Sequence, residues 1–188
     1  MIDRKVVEKV GGWKRLSKEV VYENPWIEVS HEQVLRPNGT EGIYGLVSFK
    51  GCAVAVVPIS ENGDTWLVKQ SRYAMDEITI EVPEGGASRD EDPALAALRE
   101  LEEEVGLKAE KIEKILELQI SNSITNERAH VFVATGLSEG MQALEDTEDI
   151  EVIKLPLSEA ISMAQDGRIT DVMSVAALLK IALDGRYL

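Results

Sequence analysis

The hydrophobic period of this chain changes at Asp92, and this change constrains the fold more than any other feature of the sequence. Before it, short runs rich in Val, Ile and aromatic residues are separated by turns such as Pro37-Asn38-Gly39, a pattern typical of β-strands. After it, the apolar residues from Ala94 to Val105 recur at helical spacing. Asp92 is a favoured N-cap, Pro93 suits the first helical position and Gly106 favours a helix end, so the pattern predicts one capped helix.

The order of the predicted elements indicates an α+β fold. Strands are predicted before the helix at 19–22, 26–35, 42–49, 53–59, 65–70 and 78–82, and after it near 115–120, 129–134 and 150–155. Loops are predicted over 83–92 and 139–149, and two more helices over 157–165 and 171–182. This order favours a mixed-sheet sandwich over a doubly wound dinucleotide fold, in which strands and helices alternate regularly.

The charge balance of the chain is strongly acidic, which bears on its partners. Lys and Arg number 20 and Asp and Glu number 34, giving a formal net charge of −14. A protein that binds a nucleic-acid backbone needs Lys and Arg to neutralise phosphates, so we expect no nucleic-acid partner. An anionic substrate remains compatible with this charge if a divalent cation bridges the two negative partners.

Cysteine, histidine and long apolar runs are scarce. The single cysteine, Cys52, excludes an internal disulfide framework, and the two histidines lie too far apart for a zinc site by spacing. The longest apolar run, Cys52–Ile59, is far shorter than the roughly 20 residues that span a bilayer. Met1–Val10 alternates charged and apolar residues, unlike the apolar core of a signal peptide. We therefore expect a cytoplasmic protein without a membrane partner.

Three glutamates share one face of the predicted central helix. Glu100, Glu103 and Glu104 stand at i, i+3 and i+4, where like charges repel unless something offsets them. Their hard oxygen atoms on a rigid helix suit Mg²⁺ or Mn²⁺. Arg99 could hold one of the carboxylates, and the preceding Gly85-Gly86 pair would let a backbone carbonyl approach as a further ligand. A solvated acidic helix face is the alternative interpretation of the glutamates alone.

The residues from Gly85 to Leu107 resemble the Nudix box at every fixed position. These are Gly85, Glu91, Arg99-Glu100-Leu101, Glu103-Glu104 and Gly106-Leu107, with the spacing that the box requires. The resemblance implies a Nudix α/β/α sandwich with a mixed central sheet, preceded by an N-terminal antiparallel β extension. The domain division expected from it is 1–40 for the extension and 41–188 for the hydrolase domain.

The same resemblance implies roles for the residues of the box. Metal ligands would be Glu100, Glu103 and Glu104, together with the carbonyl of Glu84, and the cation would be Mg²⁺ with Mn²⁺ as a substitute. Glu103 and Glu104 would also be catalytic, because the ions they hold polarise the pyrophosphate and activate water. Glu91 and Arg99 would orient the ligating carboxylates.

Flanking segments resemble the ADP-ribose and nucleoside diphosphate sugar pyrophosphatases within that family. Val82-Pro83-Glu84-Gly85-Gly86 is similar to the entrance of their box, and Lys69-Gln70-Ser71-Arg72-Tyr73 to their Gln-x-Arg segment. Arg72 and Gly85 would then contact the substrate. In that group the N-terminal extension builds a homodimer and part of the substrate site, so Trp26 is a candidate for stacking on the base, although packing in a core or interface is the alternative.

The late acidic segment is similar to the loop that supplies a metal ligand and the general base in that group. Glu148 matches the metal-binding position best. Asp146 stands at the spacing expected for the base, with Glu145 beside it, although an aspartate there departs from the pattern of the group. A solvated loop is the alternative interpretation of these acids. A departure lies at residues 121–127, where the Pro-Gly turn typical of ADP-ribose specialists is missing but Glu127 remains as a candidate substrate contact.

The sequence therefore predicts metal-dependent hydrolysis of nucleoside diphosphate sugars, such as ADP-ribose or GDP-mannose, to a nucleoside monophosphate and a sugar phosphate. Two alternatives stay open. One is a nucleoside triphosphate pyrophosphohydrolase on the same fold, which the N-terminal extension and the Gln70/Arg72 segment disfavour. The other is a non-catalytic nucleotide-binding module, which the intact glutamates disfavour.

Overall fold

The computed structural model describes residues 8–144 and 149–188 of the chain. This part of the chain forms eleven strands and three helices, which confirms the predicted α+β class. The chain folds into two compact units. The first holds the residues up to Gly51 together with Gln119–Glu127, and the second holds Cys52–Leu118 and Arg128–Leu188.

The first unit is an antiparallel sheet of four strands in the order β1-β2-β3-β4. The strands are β1 (Glu8–Val10), β2 (Trp13–Glu23), β3 (Ile27–Leu35) and β4 (Glu41–Phe49). The predicted turn closes the β3–β4 hairpin, where Gly39 has a φ of 83° and the Asn38 side chain accepts a hydrogen bond from the Thr40 backbone N–H at 3.0 Å. Residues 119–127 run along β4, because the Val47 backbone N–H donates to the Ile124 carbonyl at 3.0 Å.

The second unit contains two further sheets. One has the order β8-β5-β10-β9 and the other β11-β6-β7. The strands are β5 (Gly51–Pro58), β6 (Asp64–Arg72), β7 (Glu77–Glu81), β8 (Glu84–Ser88), β9 (Leu107–Gln119), β10 (Arg128–Glu139) and β11 (Glu151–Pro156). Strands β5 and β10 pair in parallel from Ala53↔Ala129 to Pro58↔Ala134, whereas β6 pairs antiparallel with both β7 and β11.

Helices cover the sheet that contains β5 and β10. They are α1 (Pro93–Val105), α2 (Leu157–Asp166) and α3 (Val172–Asp184). Alternate strand residues such as Val54, Val56 and Phe132 form one buried cluster with Leu101 of α1. Successive side chains of a strand point to opposite faces, so the equally buried Ala55 and Val57 belong to the other face. Helix α3 packs on β10 and on α2, and α2 also contacts β6 and β11.

The predicted elements and the observed ones differ most around the glycine pair. Residues 83–92 were expected to form a loop, but Glu84–Ser88 forms strand β8. Glycine weakens a strand by itself, yet β8 pairs with β5, and tertiary pairing overrides the local preference. Strand β9 begins directly after α1 because Gly106, with a φ of 73°, reverses the chain there. Within the described residues, no helix is both long and apolar enough to cross a membrane.

Candidate active site

Helix α1 is built to present its acidic face from a fixed position. The Asp92 side chain accepts a hydrogen bond from the Ala94 backbone N–H at 2.9 Å, and Pro93 occupies the first turn. At the other end Gly106 adopts the left-handed conformation, and its N–H donates to the Glu102 carbonyl at 2.9 Å. Leu101 is fully buried in the core beneath the helix. The predicted caps are therefore confirmed, and they fix which residues of the helix face outward.

Strand β8 holds two of the three predicted carboxylates. The Glu84 backbone N–H donates to Glu104 Oε2 at 2.9 Å, and Glu104 is only 1% exposed. Gly85 lies directly against Glu100, since a Cβ added at Gly85 would stand 2.2 Å from the carboxyl carbon of Glu100. The glycine thus makes room for a carboxylate, which is the close approach that only glycine permits.

Arg99 ties the remaining box residues together. Its Nη1 donates to Glu100 Oε1 at 2.8 Å and to Glu103 Oε2 at 2.9 Å. Its Nε donates to Glu91 Oε1 at 3.2 Å, and its Nη2 donates to the Gly86 carbonyl at 2.9 Å. The hydrogen bond from Arg99 lowers the pKa of the Glu91 carboxyl. The structure therefore brings Glu91, Arg99, Glu100 and Glu103 into one network.

The donor set fits a hard divalent cation. One guanidinium faces the carboxylates of Glu91, Glu100 and Glu103, so the cluster carries more negative charge than its own arginine neutralises. Carboxylate oxygens are the ligands that Mg²⁺ and Mn²⁺ prefer. In the described ranges, no three Asp, Glu, His or Cys side chains converge closely enough to hold an ion as they stand. Arg99 Nη1, which bridges Glu100 and Glu103, occupies one oxygen of each.

Arg72, a predicted substrate contact, is engaged by carboxylates. Its Nε donates to both oxygens of Glu81 at 3.1 Å, and its Nη2 bonds to Glu81 and to Glu84 Oε1. Glu81 is buried and also accepts hydrogen bonds from Gln70 Nε2 at 3.2 Å and from Thr79 Oγ1 at 2.7 Å. These carboxylates raise the pKa of the Arg72 guanidinium against the opposing effect of burial. These hydrogen bonds thus fix the position of the Arg72 guanidinium at the C-terminal end of β6.

Residues that the sequence reasoning missed lie on the other side of Glu84. Glu84 Oε2 is buried and, within the described part of the chain, accepts no hydrogen bond from a donor. Burial and the neighbouring Asp171 carboxylate raise the pKa of Glu84 well above its ordinary value. Asp171 caps α3 by accepting from the Ser174 backbone N–H at 2.7 Å, and Ser174 Oγ accepts from the Val82 backbone N–H at 2.9 Å. The only sequence signal was the place of Asp171 at the start of the last predicted helix.

Two candidate substrate contacts belong to the first unit. Trp26 is 72% exposed, in a turn where its backbone N–H donates to the Asn24 side chain at 2.9 Å. Glu127 is half-buried, and this burial raises the pKa of its carboxyl. The Pro-Gly turn is missing before Glu127, and the chain there is instead held by hydrogen bonds that side chains make to the backbone. Thr125 Oγ1 donates to the Ser121 carbonyl at 3.1 Å, and the Asn126 side chain accepts from the Phe49 backbone N–H at 2.7 Å.

The predicted loop residues Glu145, Asp146 and Glu148 lie outside the described residues. The segment leading to them is attached to the last turn of α1. The Ala143 backbone N–H donates to the Glu103 carbonyl at 2.9 Å, and Gln142 Nε2 donates to the Glu104 carbonyl at 2.7 Å. These bonds satisfy carbonyl groups that a helix end leaves without intrahelical partners.

Comparisons with known proteins found two family profiles that match this chain. A family profile described as "NUDIX domain" matches residues 50–174, and one described as "Nucleoside diphosphate sugar hydrolase N-terminal domain" matches residues 13–47. Both the box helix and the first-unit sheet therefore fall within family matches.

Individual relatives span most of the chain. It is 33% identical over 172 residues to an ADP-ribose pyrophosphatase of Bacillus subtilis (strain 168), covering 90% of this chain and 92% of the relative. It is 32% identical over 172 residues to a methanol dehydrogenase activator of Bacillus methanolicus, with the same coverage. A crystal structure of an ADP compounds hydrolase superimposes with a TM-score of 0.83 at 21% identity, covering 95% of this chain and 98% of that chain, which shows the shared fold.

Proposed function

The chain belongs to the NUDIX domain family, and on that premise we propose that it hydrolyses the pyrophosphate bond of nucleoside diphosphate sugars such as ADP-ribose or GDP-mannose. The products would be a nucleoside monophosphate and a sugar phosphate. One observation carries the proposal: strand β8 seats the buried Glu100 and Glu104 carboxylates beside the Arg99 network. The match of residues 13–47 to the N-terminal domain of nucleoside diphosphate sugar hydrolases supports the substrate class.

Nudix hydrolases generally use divalent cations, and we propose Mg²⁺ here, with Mn²⁺ as a substitute. Its ligands would be the side chains of Glu100, Glu103, Glu104 and Glu148 and the carbonyl of Glu84. A bound cation would neutralise the diphosphate and make phosphorus more electrophilic. The chain's own contribution is to orient these oxygens, which Arg99 and Glu91 do through the hydrogen bonds described above.

The proton of the attacking water would pass to a carboxylate of the late acidic segment, Asp146 or Glu145. Water adds to one phosphorus, the bridging P–O bond breaks, and the leaving phosphate keeps the electron pair. Chain connectivity supports this assignment. Ala143, three residues before Asp146 in the sequence, is hydrogen-bonded to the last turn of α1.

Substrate contacts are proposed for Arg72 and Gly85 in the second unit and for Trp26 and Glu127 in the first. Trp26 supports this role because its indole is largely exposed, as a stacking side chain must be before its ligand arrives. Arg72 supports it less directly, because Glu81 and Glu84 already hold its guanidinium.

A homodimer built through the first unit is part of the proposal, with residues 1–40 contributing to the interface and the substrate site. The sheet of that unit exposes apolar side chains that a partner could cover, namely Val20, Val21, Tyr22 and Ile43, each between 46% and 63% exposed. Burial of such side chains against a partner would remove apolar surface from water. The cytoplasmic location and the lack of nucleic-acid and membrane partners stay predictions.

Turnover of a substrate panel tests the function. Purified protein would be incubated with Mg²⁺ and ADP-ribose, GDP-mannose, UDP-glucose or deoxynucleoside triphosphates, and the products separated. The proposal expects a monophosphate and a sugar phosphate, and pyrophosphate from triphosphates alone would overturn it. One relative is named as an activator, so the absence of hydrolysis of every compound by the folded protein would favour a non-catalytic binding module.

A matched pair of variants links turnover to the site. Glu104→Gln keeps the size of a buried side chain but removes its charge, so turnover should fall by about 100-fold or more while nucleotide binding persists. Glu159→Gln makes the same change on the exposed face of α2 and should leave turnover unchanged. Equal activity of the two variants would contradict the assignment of Glu104.

A further inference from the structure

The first turn of helix α3 is hydrogen-bonded to Val82, which lies between strands β7 and β8 and precedes the Gly85-Gly86 pair. Ser174 is fully buried, and its Oγ accepts a hydrogen bond from the backbone N–H of Val82, which is fully buried as well. The same turn of α3 places Asp171 beside the side chain of Glu84. The hydrogen bond to Ser174 therefore holds a segment that lies 92 residues earlier in the chain.

The segment from Val82 to Gly85 sets the positions of the Glu100 and Glu104 carboxylates. Two residues after Val82, the Glu84 backbone N–H donates to Glu104 Oε2 at 2.9 Å. One residue further, Gly85 lies against the Glu100 carboxyl group with no room for a Cβ. Between them the Pro83 carbonyl accepts from the Val56 backbone N–H at 2.9 Å, so the segment is also tied to β5. A displacement at Val82 would thus be transmitted to both carboxylates.

We propose that Ser174 is a positioning residue of the active site, whose hydroxyl fixes Val82–Gly85 so that Glu100 and Glu104 are held ready for a divalent cation. This inference rests on the proposed function for its catalytic consequence, but its effect on cation affinity is independent of the substrate. No pattern in the sequence distinguishes Ser174 from the other small residues of α3. Its role follows from a hydrogen bond between residues 92 positions apart.

The chemistry of the contact predicts how substitutions behave. Ser174→Ala leaves the buried Val82 N–H without an acceptor, and the segment must shift or admit water to satisfy it. Outer residues that orient metal ligands typically change affinity or activity by about 10- to 100-fold when they are removed. Ser174→Cys keeps a similar volume with a weaker acceptor, so its effect should be intermediate.

A matched control comes from another buried hydroxyl. Thr65 is fully buried on β6, and among the described residues its Oγ1 has no hydrogen-bond partner. Thr65→Val therefore removes a core hydroxyl without releasing a backbone N–H. A variant that acts only through general stability should resemble Thr65→Val once both proteins are fully folded.

The test is a titration of each purified variant with Mn²⁺, in which the electron paramagnetic resonance signal of free Mn²⁺ reports binding without any substrate. We expect the dissociation constant to rise by about 10-fold or more in Ser174→Ala, by less in Ser174→Cys, and not in Thr65→Val. Unchanged affinity in the folded Ser174 variants would overturn the proposal. If Ser174→Ala does not fold, the Mn²⁺ titration of Ser174→Cys decides. A Mn²⁺ affinity of Ser174→Cys equal to that of the wild type would then overturn the proposal.

Kinetics separate this inference from the proposed function. With ADP-ribose as substrate, Ser174→Ala should raise the Mg²⁺ concentration required for half-maximal turnover by about 10-fold or more, because the carboxylates that would hold the cation are displaced. Wild-type turnover with an unaffected Ser174→Ala variant would refute the positioning role alone. An inactive wild type would refute the proposed function, while the Mn²⁺ titration would still decide the role of Ser174.

Discussion

Replacing Gly85 by alanine tests whether the close approach of strand β8 to helix α1 is required for catalysis. The added Cβ would stand 2.2 Å from the Glu100 carboxyl carbon, whereas Cβ contacts essentially never fall below 3.0 Å, so one group must move by at least 0.8 Å (3.0 − 2.2). Glu100 has little room to yield, because it is 7% exposed and Arg99 Nη1 bonds to it at 2.8 Å. A misplacement of about 1 Å can cost about 100-fold in rate, which is the loss of kcat/KM that we expect.

The neighbouring glycine supplies the control. Gly86→Ala adds a Cβ with no other atom within 4 Å, and neither glycine has the positive φ that would strain alanine. Both substitutions reduce the conformational entropy of the unfolded chain to a similar extent. A difference in activity or Tm between the two variants therefore reports the contact of residue 85 with Glu100. Hydrolysis of ADP-ribose at saturating Mg²⁺ and the Tm of each variant would be measured. Activity of Gly85→Ala within about threefold of Gly86→Ala would refute the reasoning.

Two further predictions concern stability. Leu101→Ala removes a fully buried side chain from the cluster under α1 and should lower the free energy of unfolding in urea by about 2–5 kcal/mol, whereas Leu95→Ala, on an exposed position of the same helix, should cost well under 1 kcal/mol. The raised pKa of Glu84 means that its favourable contribution is full below the ordinary carboxyl pKa of about 4.3 and is lost as pH rises through the higher folded value. Glu84→Gln should therefore lose less Tm than the wild type as pH is raised above 4, and parallel Tm profiles would contradict this.

Local signals made the box helix predictable. Asp92, Pro93 and Gly106 act within a few residues of their own positions, and the structure shows the expected cap contacts at both ends. The i, i+3 and i+4 spacing likewise placed Glu100, Glu103 and Glu104 on one face, and Arg99 contacts the first two of them. Patterns of this kind can be read from sequence because the interacting atoms belong to one or two helical turns.

Contacts between distant segments were not predictable in the same way. The sequence predicts a loop over 83–92 because two glycines and several acids occur there, whereas β8 forms by pairing with β5, a segment some 30 residues earlier. The Glu81 carboxylate that holds Arg72 lies across a hairpin, and a Gln-x-Arg pattern alone gives no sign of it. The bond between Ser174 and Val82 joins residues 92 positions apart, and neither residue type is distinctive.

The pairing of Arg72 and Arg99 with carboxylates affects how the site can bind a diphosphate. Arg99 donates to Glu91, Glu100 and Glu103, and Arg72 donates to Glu81 and Glu84, so both guanidinium groups are already paired with carboxylates. Breaking such a pair to bind a phosphate would leave a carboxylate without its partner. In a chain with a net charge of −14, a phosphate that meets Arg72 or Arg99 must therefore compete with these carboxylates. On the proposed function, divalent cations would supply much of the charge that neutralises a diphosphate, so small displacements of β8 should matter more than loss of any single surface charge.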